Sequence, residues 1–174
     1  QVKLTLFKRF GILAAAGDRH LTEFLPGFLR SPDILYRWGV IRTPVSWRIE
    51  RWTSAPQKTR DLMNGAVPFK LEPSGEEGIN MIRALLGLED LVTNVNLENM
   101  GQITNAPLRS VVETNAHFGR GKITPLTAGS LPDGIASLIH RHIANQELII
   151  DAALTNDLDL AFQAFFTDPA NDLP

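Results

Sequence analysis

The sequence contains no cysteine in its 174 residues. That absence excludes disulfides and thiolate metal ligands. Long apolar runs are missing too: nothing approaches the ~18 residues a membrane span requires, so no membrane partner is expected. The opening stretch, residues 2–16, is interrupted by Lys3, Lys8 and Arg9 and does not read as a signal peptide. Charge of one sign is also scarce. Seventeen Lys and Arg stand against nineteen Asp and Glu, for a net charge of −2. Nucleic acid, which calls for a basic face or stripe, is therefore not an expected partner. The imbalance is local: Lys3, Lys8, Arg9, Arg19 and Arg30 face only Asp18 and Glu23 in the first thirty residues, and the last thirty-odd are acidic. Both ends read as solvated surface.

Several catalytic signatures are missing as well. No G-x-G-x-x-G follows a strand, which leaves no dinucleotide fingerprint. Gly121-Lys122 is followed by Ile123, and the position five before Gly121 is Ala116, so there is no phosphate loop. No serine sits in G-x-S-x-G. His140 and His142 are two apart; on a helix they point to different sides and cannot share an ion. His142, on the face of Ile135, Leu138, Ile139 and Ile149, is expected to be a hydrogen-bonded core histidine, and His140 a surface one. Nothing nominates a pair of carboxylates at the ~5–10 Å separation of ordinary glycosidases.

What is present is an ordinary globular composition, 44% hydrophobic and 21% charged. The length predicts one domain over residues 1–174. The chain opens on Gln1 already inside an amphipathic pattern, which is expected of a piece of a longer polypeptide. Val2, Leu6, Phe10 and Leu13 predict a helix over 2–14. Asp18 reads as the N-cap of a second helix carrying Leu21, Phe24, Leu25 and Phe28, ended by Ser31-Pro32-Asp33. Residues 34–56 hold Trp38, Trp47 and Trp52 with two prolines and read as an irregular connection, with a candidate strand over 45–52. A short helix is expected over 57–64. Ser74 and Glu77 have capping-box spacing for a helix reaching Gly87. Residues 91–97 and 110–118 alternate as two strands that could lie antiparallel. Loops are expected around Gly119-Arg120-Gly121 and over 127–132. Helices follow over 131–154 and 157–166, the last closed by Asp168-Pro169. Helix-rich with a small antiparallel sheet, the fold class is α+β.

Functional residue types concentrate at Gly17-Asp18-Arg19-His20-Leu21-Thr22-Glu23-Phe24. A carboxylate, a guanidinium, an imidazole and a second carboxylate lie at a helix start, whose N–H groups favour negative charge. The same residues also make a capped helix with Arg19 and Glu23 as a surface ion pair. A second group runs through Asn94, Asn96, Asn99, Gln102, Asn105, Glu113, Thr114, Asn115 and His117. Asparagine is disfavoured in strands, so these are either structural amides or the wall of a polar cavity.

These blocks resemble the family-4 glycoside hydrolases. Phe10-Gly11 followed by Ala16-Gly17-Asp18-Arg19-His20-Leu21-Thr22-Glu23-Phe24 is similar to one family segment. Asn94-Val95-Asn96-Leu97-Glu98-Asn99-Met100-Gly101-Gln102-Ile103-Thr104-Asn105 is similar to another. Ser110-Val111-Val112-Glu113-Thr114-Asn115-Ala116, Gly129-Ser130-Leu131-Pro132, Asn145-Gln146-Glu147 and residues 165–169 extend the likeness over most of the chain. The Val112–Ala116 block looks most like the α-galacturonidase branch. Met100 stands where the family usually has a positive residue, and Asn105-Ala106-Pro107 replaces its usual Asn-Leu-Pro.

The resemblance implies the carboxy-terminal, substrate-side domain of such an enzyme, similar in fold to that of lactate and malate dehydrogenases. It implies hydrolysis of α-galacturonides or α-galactosides by oxidation, elimination, addition and reduction, with NAD and Mn2+ in the parent enzyme. Asp18 matches the base that removes the sugar C2 proton; Arg19 and His20 match substrate-binding positions, Arg19 suiting a uronate carboxylate. No residue of this chain is assigned to NAD or metal, since those ligands belong to an amino-terminal Rossmann domain, its expected partner. The fragment alone is expected to bind neither and to be inactive. A homodimer or higher homo-oligomer and a cytoplasmic location are further expectations. The competing readings are a non-catalytic oligomerisation module and the substrate domain of a small hydroxy-acid dehydrogenase.

Overall fold

A computed structural model describes residues 1–168, 170 and 171. They fall into two compact units, residues 41–76 and the rest. In the larger unit, helix α1 spans Val2–Phe10. It stops short of the expected residue 14 because Gly11 takes a left-handed φ of 75° and donates its N–H to the Phe7 carbonyl at 2.8 Å. Helix α2 is only Asp18–Leu21. The longer helix predicted through Phe28 is not formed; turns follow Leu21 instead. Ser31-Pro32, expected to end a helix, starts one. Ser31 caps α3, Pro32–Arg37, accepting the Ile34 N–H at 3.3 Å, and Pro32 suits a first-turn position whose N–H has no partner.

The smaller unit carries helix α4, Val45–Met63, where an irregular connection and a candidate strand were expected. The strand reading leans on the alternation of aromatic residues and on two prolines. Pro44 sits at the N-cap, where no helical N–H is needed, and Pro56 lies inside the helix, where it leaves the Trp52 carbonyl without its helical donor. Arg51 lies over the Trp47 ring at 5.3 Å, and Gln57 donates to Asp61 at 2.7 Å, both four residues apart. None of the side chains of α4 is buried.

Back in the larger unit, helix α5, Gly78–Leu85, starts later than its sequence cue. The Ser74 hydroxyl accepts the Glu76 N–H at 3.2 Å, a local turn that replaces the expected capping box. Strands β1, Leu91–Glu98, and β2, Val111–Gly119, pair antiparallel with Asn94 opposite Asn115 and Asn96 opposite Glu113. A third strand, β3, Lys122–Pro125, extends the sheet in the order β1-β2-β3. The sequence signals only a loop there, because the turn is Arg120-Gly121. Both residues have positive φ, 46° and 74°, the two-residue hairpin geometry that Asn-Gly usually signals. One sheet face packs on α5, with Ala84, Ala116 and Phe118 buried against Met81, Leu85, Leu91, Val95 and Leu97. The alternation inside and outside sets which residues the other face presents: Asn94, Asn96, Glu113 and Asn115, all exposed.

Helix α6, Asp133–Thr155, and helix α7, Leu158–Thr167, pack as a hairpin. Asn156 turns it in a left-handed conformation, and Asp157 caps α7 by accepting the Asp159 and Leu160 N–H groups. Buried Asn145 of α6 donates to the Ala164 carbonyl of α7 at 2.5 Å. Pro169, expected to close α7, lies outside the described residues. Among the described residues no helix is long and apolar enough to cross a membrane.

Candidate active site

The turn at residues 17–20 is shaped by Asp18, but not as the sequence suggests. The cap of α2 is Gly17, with no side-chain bond. The Asp18 carboxylate reaches back to α1, accepting the Lys3 N–H at 2.7 Å and contacting the Gln1 amino group. It therefore satisfies the exposed start of α1 rather than of α2. The Gln1 amino group and then the Lys3 N–H hold the Asp18 carboxyl below its ordinary value near 3.8. A depressed folded value means that this interaction contributes stability above pH ~3.8 and is lost as pH falls through the lower folded value. At neutral pH Asp18 is ionised, the form a proton acceptor needs.

Arg19 and His20 follow on the exposed face of the same short helix. The expected Arg19–Glu23 ion pair is absent. His20 Nδ1 approaches Glu23 instead, at 3.7 Å, and Arg19 has no carboxylate partner among the described residues. Four residues of helix are too few to build the anion-attracting amino terminus that the sequence suggested. Any grip on an acidic substrate must come from the Arg19 guanidinium itself.

The turn borders a cavity of about 420 Å3, within the ordinary range for small-molecule sites. Ala16 and Leu21, on either side of the turn, line it, whereas Asp18, Arg19 and His20 do not. Phe10 of α1, Ile103, Leu131, and Ile135, Leu138, Ile139 and His142 of α6 line it too. His142 is hydrogen-bonded as expected but half-buried rather than in the core: its Nε2 lies 2.7 Å from the Phe24 carbonyl and its ring meets Phe24 edge-on. Glu113 is the one acidic side chain among the described residues of this wall. The sequence places Glu113 within a polar strand but does not bring it beside the turn ninety-odd residues earlier.

The second polar group divides in two. Asn99 is fully buried. Its Nδ2 donates to the carbonyls of Ile103, Ala106 and Pro107 at 3.1 Å, and its Oδ1 accepts the Gly101 and Ile103 N–H groups. Gln102 accepts from Met100 and donates to the Glu98 carbonyl. Asn105 clamps both the N–H and the carbonyl of Leu131 at 2.8 Å. These are structural amides, and they fix the loops that carry the wall residues Ile103 and Leu131. His140, exposed as expected, has Nε2 2.7 Å from the Asn105 carbonyl. Asn94, Asn96, Glu113 and Asn115 instead form the open sheet face. Among the described residues no three His, Cys, Asp or Glu side chains converge as a metal site.

A model of the family 4 glycosyl hydrolase C-terminal domain matches residues 1–171. The chain belongs to that family. An α-galacturonidase of Thermoanaerobacterium saccharolyticum is 49% identical over 171 residues, 97% of this chain and 37% of the relative. An α-galactosidase of Bacillus subtilis is 31% identical over 97% of the chain and 39% of its own length. The crystal structure of a Bacillus subtilis protein described as a glucosidase, lplD, is 46% identical with a TM-score of 0.90, covering 99% of this chain and 39% of that one. A Thermotoga maritima 6-phospho-β-glucosidase, solved with manganese, NAD+ and glucose-6-phosphate, is 29% identical with a TM-score of 0.51, over 54% of this chain and 23% of that one. The family-4 domain thus spans well under half the length of the curated relatives it matches.

Proposed function

We propose that this chain is the substrate-side domain of an α-galacturonide hydrolase in which Asp18 is the base that takes the sugar C2 proton. The observation that carries this reading is the identity gradient: 49% to an α-galacturonidase against 31% to an α-galactosidase over the same span. It is also supported by the ionised Asp18, which stands in sequence between Ala16 and Leu21, two residues that line a cavity of ligand size. In the longer enzyme NAD and manganese would be held by other polypeptide and would supply a hydride acceptor and a Lewis acid. That chemistry would matter for Asp18, because an ionised carboxylate is a weak base towards a carbon-bound proton. It can remove a carbon-bound proton only from a position already acidified by a neighbouring carbonyl. Arg19, planar and without a carboxylate partner among the described residues, suits the two-point geometry of the uronate carboxylate. His20 lies one residue further along the same exposed turn and is assigned to the substrate's polar edge.

The amino-terminal Rossmann portion is the domain's proposed partner. A homo-oligomer is supported by the apolar face of α7, where Leu158, Phe162 and Phe166 are exposed. The test is a substrate panel on the full-length enzyme supplied with NAD+ and Mn2+. Release of galacturonate from α-galacturonides, at a kcat/KM at least ~10-fold above that for the matching α-galactosides, is expected. Cleavage of galactosides alone would move the enzyme to the neighbouring branch. Failure on every glycoside would remove the hydrolase reading.

A further inference from the structure

We infer that Glu113 is a specificity-determining residue that faces the substrate and accepts hydrogen bonds from the sugar's ring hydroxyls. The inference rests on the glycoside hydrolase reading and deepens it. Glu113 lies on the open face of the sheet, opposite Asn96 in the register of β1 and β2. It also lines the cavity that Ala16 and Leu21 share from either side of the Asp18 turn. The other titratable group in the described wall, His142, is engaged with the Phe24 carbonyl. The remaining wall is hydrocarbon, apart from main chain. Glu113 forms no ion pair with any described residue, although the chain carries seventeen Lys and Arg to pair with.

An unpaired carboxylate beside an apolar wall suits a ligand with two kinds of surface. The C–H faces of a pyranose pack against side chains such as Phe10 and Leu131, and its vicinal hydroxyls donate to the two carboxylate oxygens. A carboxylate has about four acceptor sites and no donor, so it reads hydroxyls and repels other anions. It would also orient a uronate: the substrate carboxylate is driven from Glu113, and the hydroxyl-bearing edge turns towards it.

The test is steady-state kinetics of the full-length enzyme with NAD+, Mn2+ and an α-galacturonide, comparing Glu113→Ala, Glu113→Gln and wild type. Loss of a charge-assisted hydrogen bond raises KM about 10- to 100-fold in Glu113→Ala. kcat should stay within about 3-fold. Glu113→Gln, which keeps one acceptor oxygen, falls between. Thermal unfolding of both variants should match wild type, since Glu113 is exposed. An active wild type with an unchanged KM in Glu113→Ala overturns this assignment alone, as does a loss confined to kcat. A wild type inactive on every glycoside removes the hydrolase reading and this assignment with it.

Discussion

The Asn99→Ala chain is expected to unfold with at least about 3 kcal/mol less stability than wild type. Asn99 has no solvent exposure, and its side chain makes five hydrogen bonds to main chain within eight residues. Removing it leaves three carbonyls and two N–H groups short of a partner. Each unsatisfied buried group costs roughly 1–3 kcal/mol, and water entering the loop offsets part of the total. For a chain of this size the loss corresponds to a fall in Tm of roughly 6–12 °C. Asn99→Asp should be at least as damaging, because it loses the donors and sets a buried carboxylate against three carbonyl oxygens. Chemical denaturation midpoints read both variants. A loss under about 1 kcal/mol would mean that the loop holding Ile103 does not depend on this amide.

The second large effect is on turnover. Asp18→Asn in the full-length enzyme is expected to lower kcat about 10^2- to 10^4-fold, the usual contribution of a positioned base. The substitution separates chemistry from folding. Asn99→Ala removes hydrogen bonds, whereas the amide introduced by Asp18→Asn still presents an oxygen to the Lys3 N–H that the carboxylate now accepts. Asn and Asp are similar as acceptors at a helix start. Only the ionic part of that contact is lost, so Tm should fall modestly while turnover collapses. Equal losses of both would assign Asp18 to the start of α1 and not to the reaction.

Much of the fold is legible in the sequence. The alternation in residues 91–97 and 110–118 marks β1 and β2 and their pairing, because one face is buried and the other is not. The long amphipathic helix α6 is equally plain. Where the sequence misleads, the reasons are local. Trp47, Ile49 and Trp52 are interspersed with charged residues along α4, and nothing in composition distinguishes that strand-like pattern from an exposed helix. Arg120 stands where a hairpin usually has Asn, which hides β3. Asp18 is the instructive case. A carboxylate after glycine reads as the cap of the next helix, yet here it closes on the helix before, a contact across fifteen residues that spacing does not encode. The site divides similarly. Asp18, Arg19 and His20 stand out as a dense run of reactive types, and the family resemblance suggests their roles. Glu113 is linked to them only through the cavity that it lines together with Ala16 and Leu21.

The central claim is that Asp18 removes the C2 proton of a galacturonide. The most direct measurement is NMR of the sugar released by the full-length enzyme, with NAD+ and Mn2+, in D2O. A base that takes the C2 proton and exchanges it with solvent leaves deuterium at C2 of the product. Product made by direct displacement at C1 would keep its original C2 hydrogen, and that result would contradict the account.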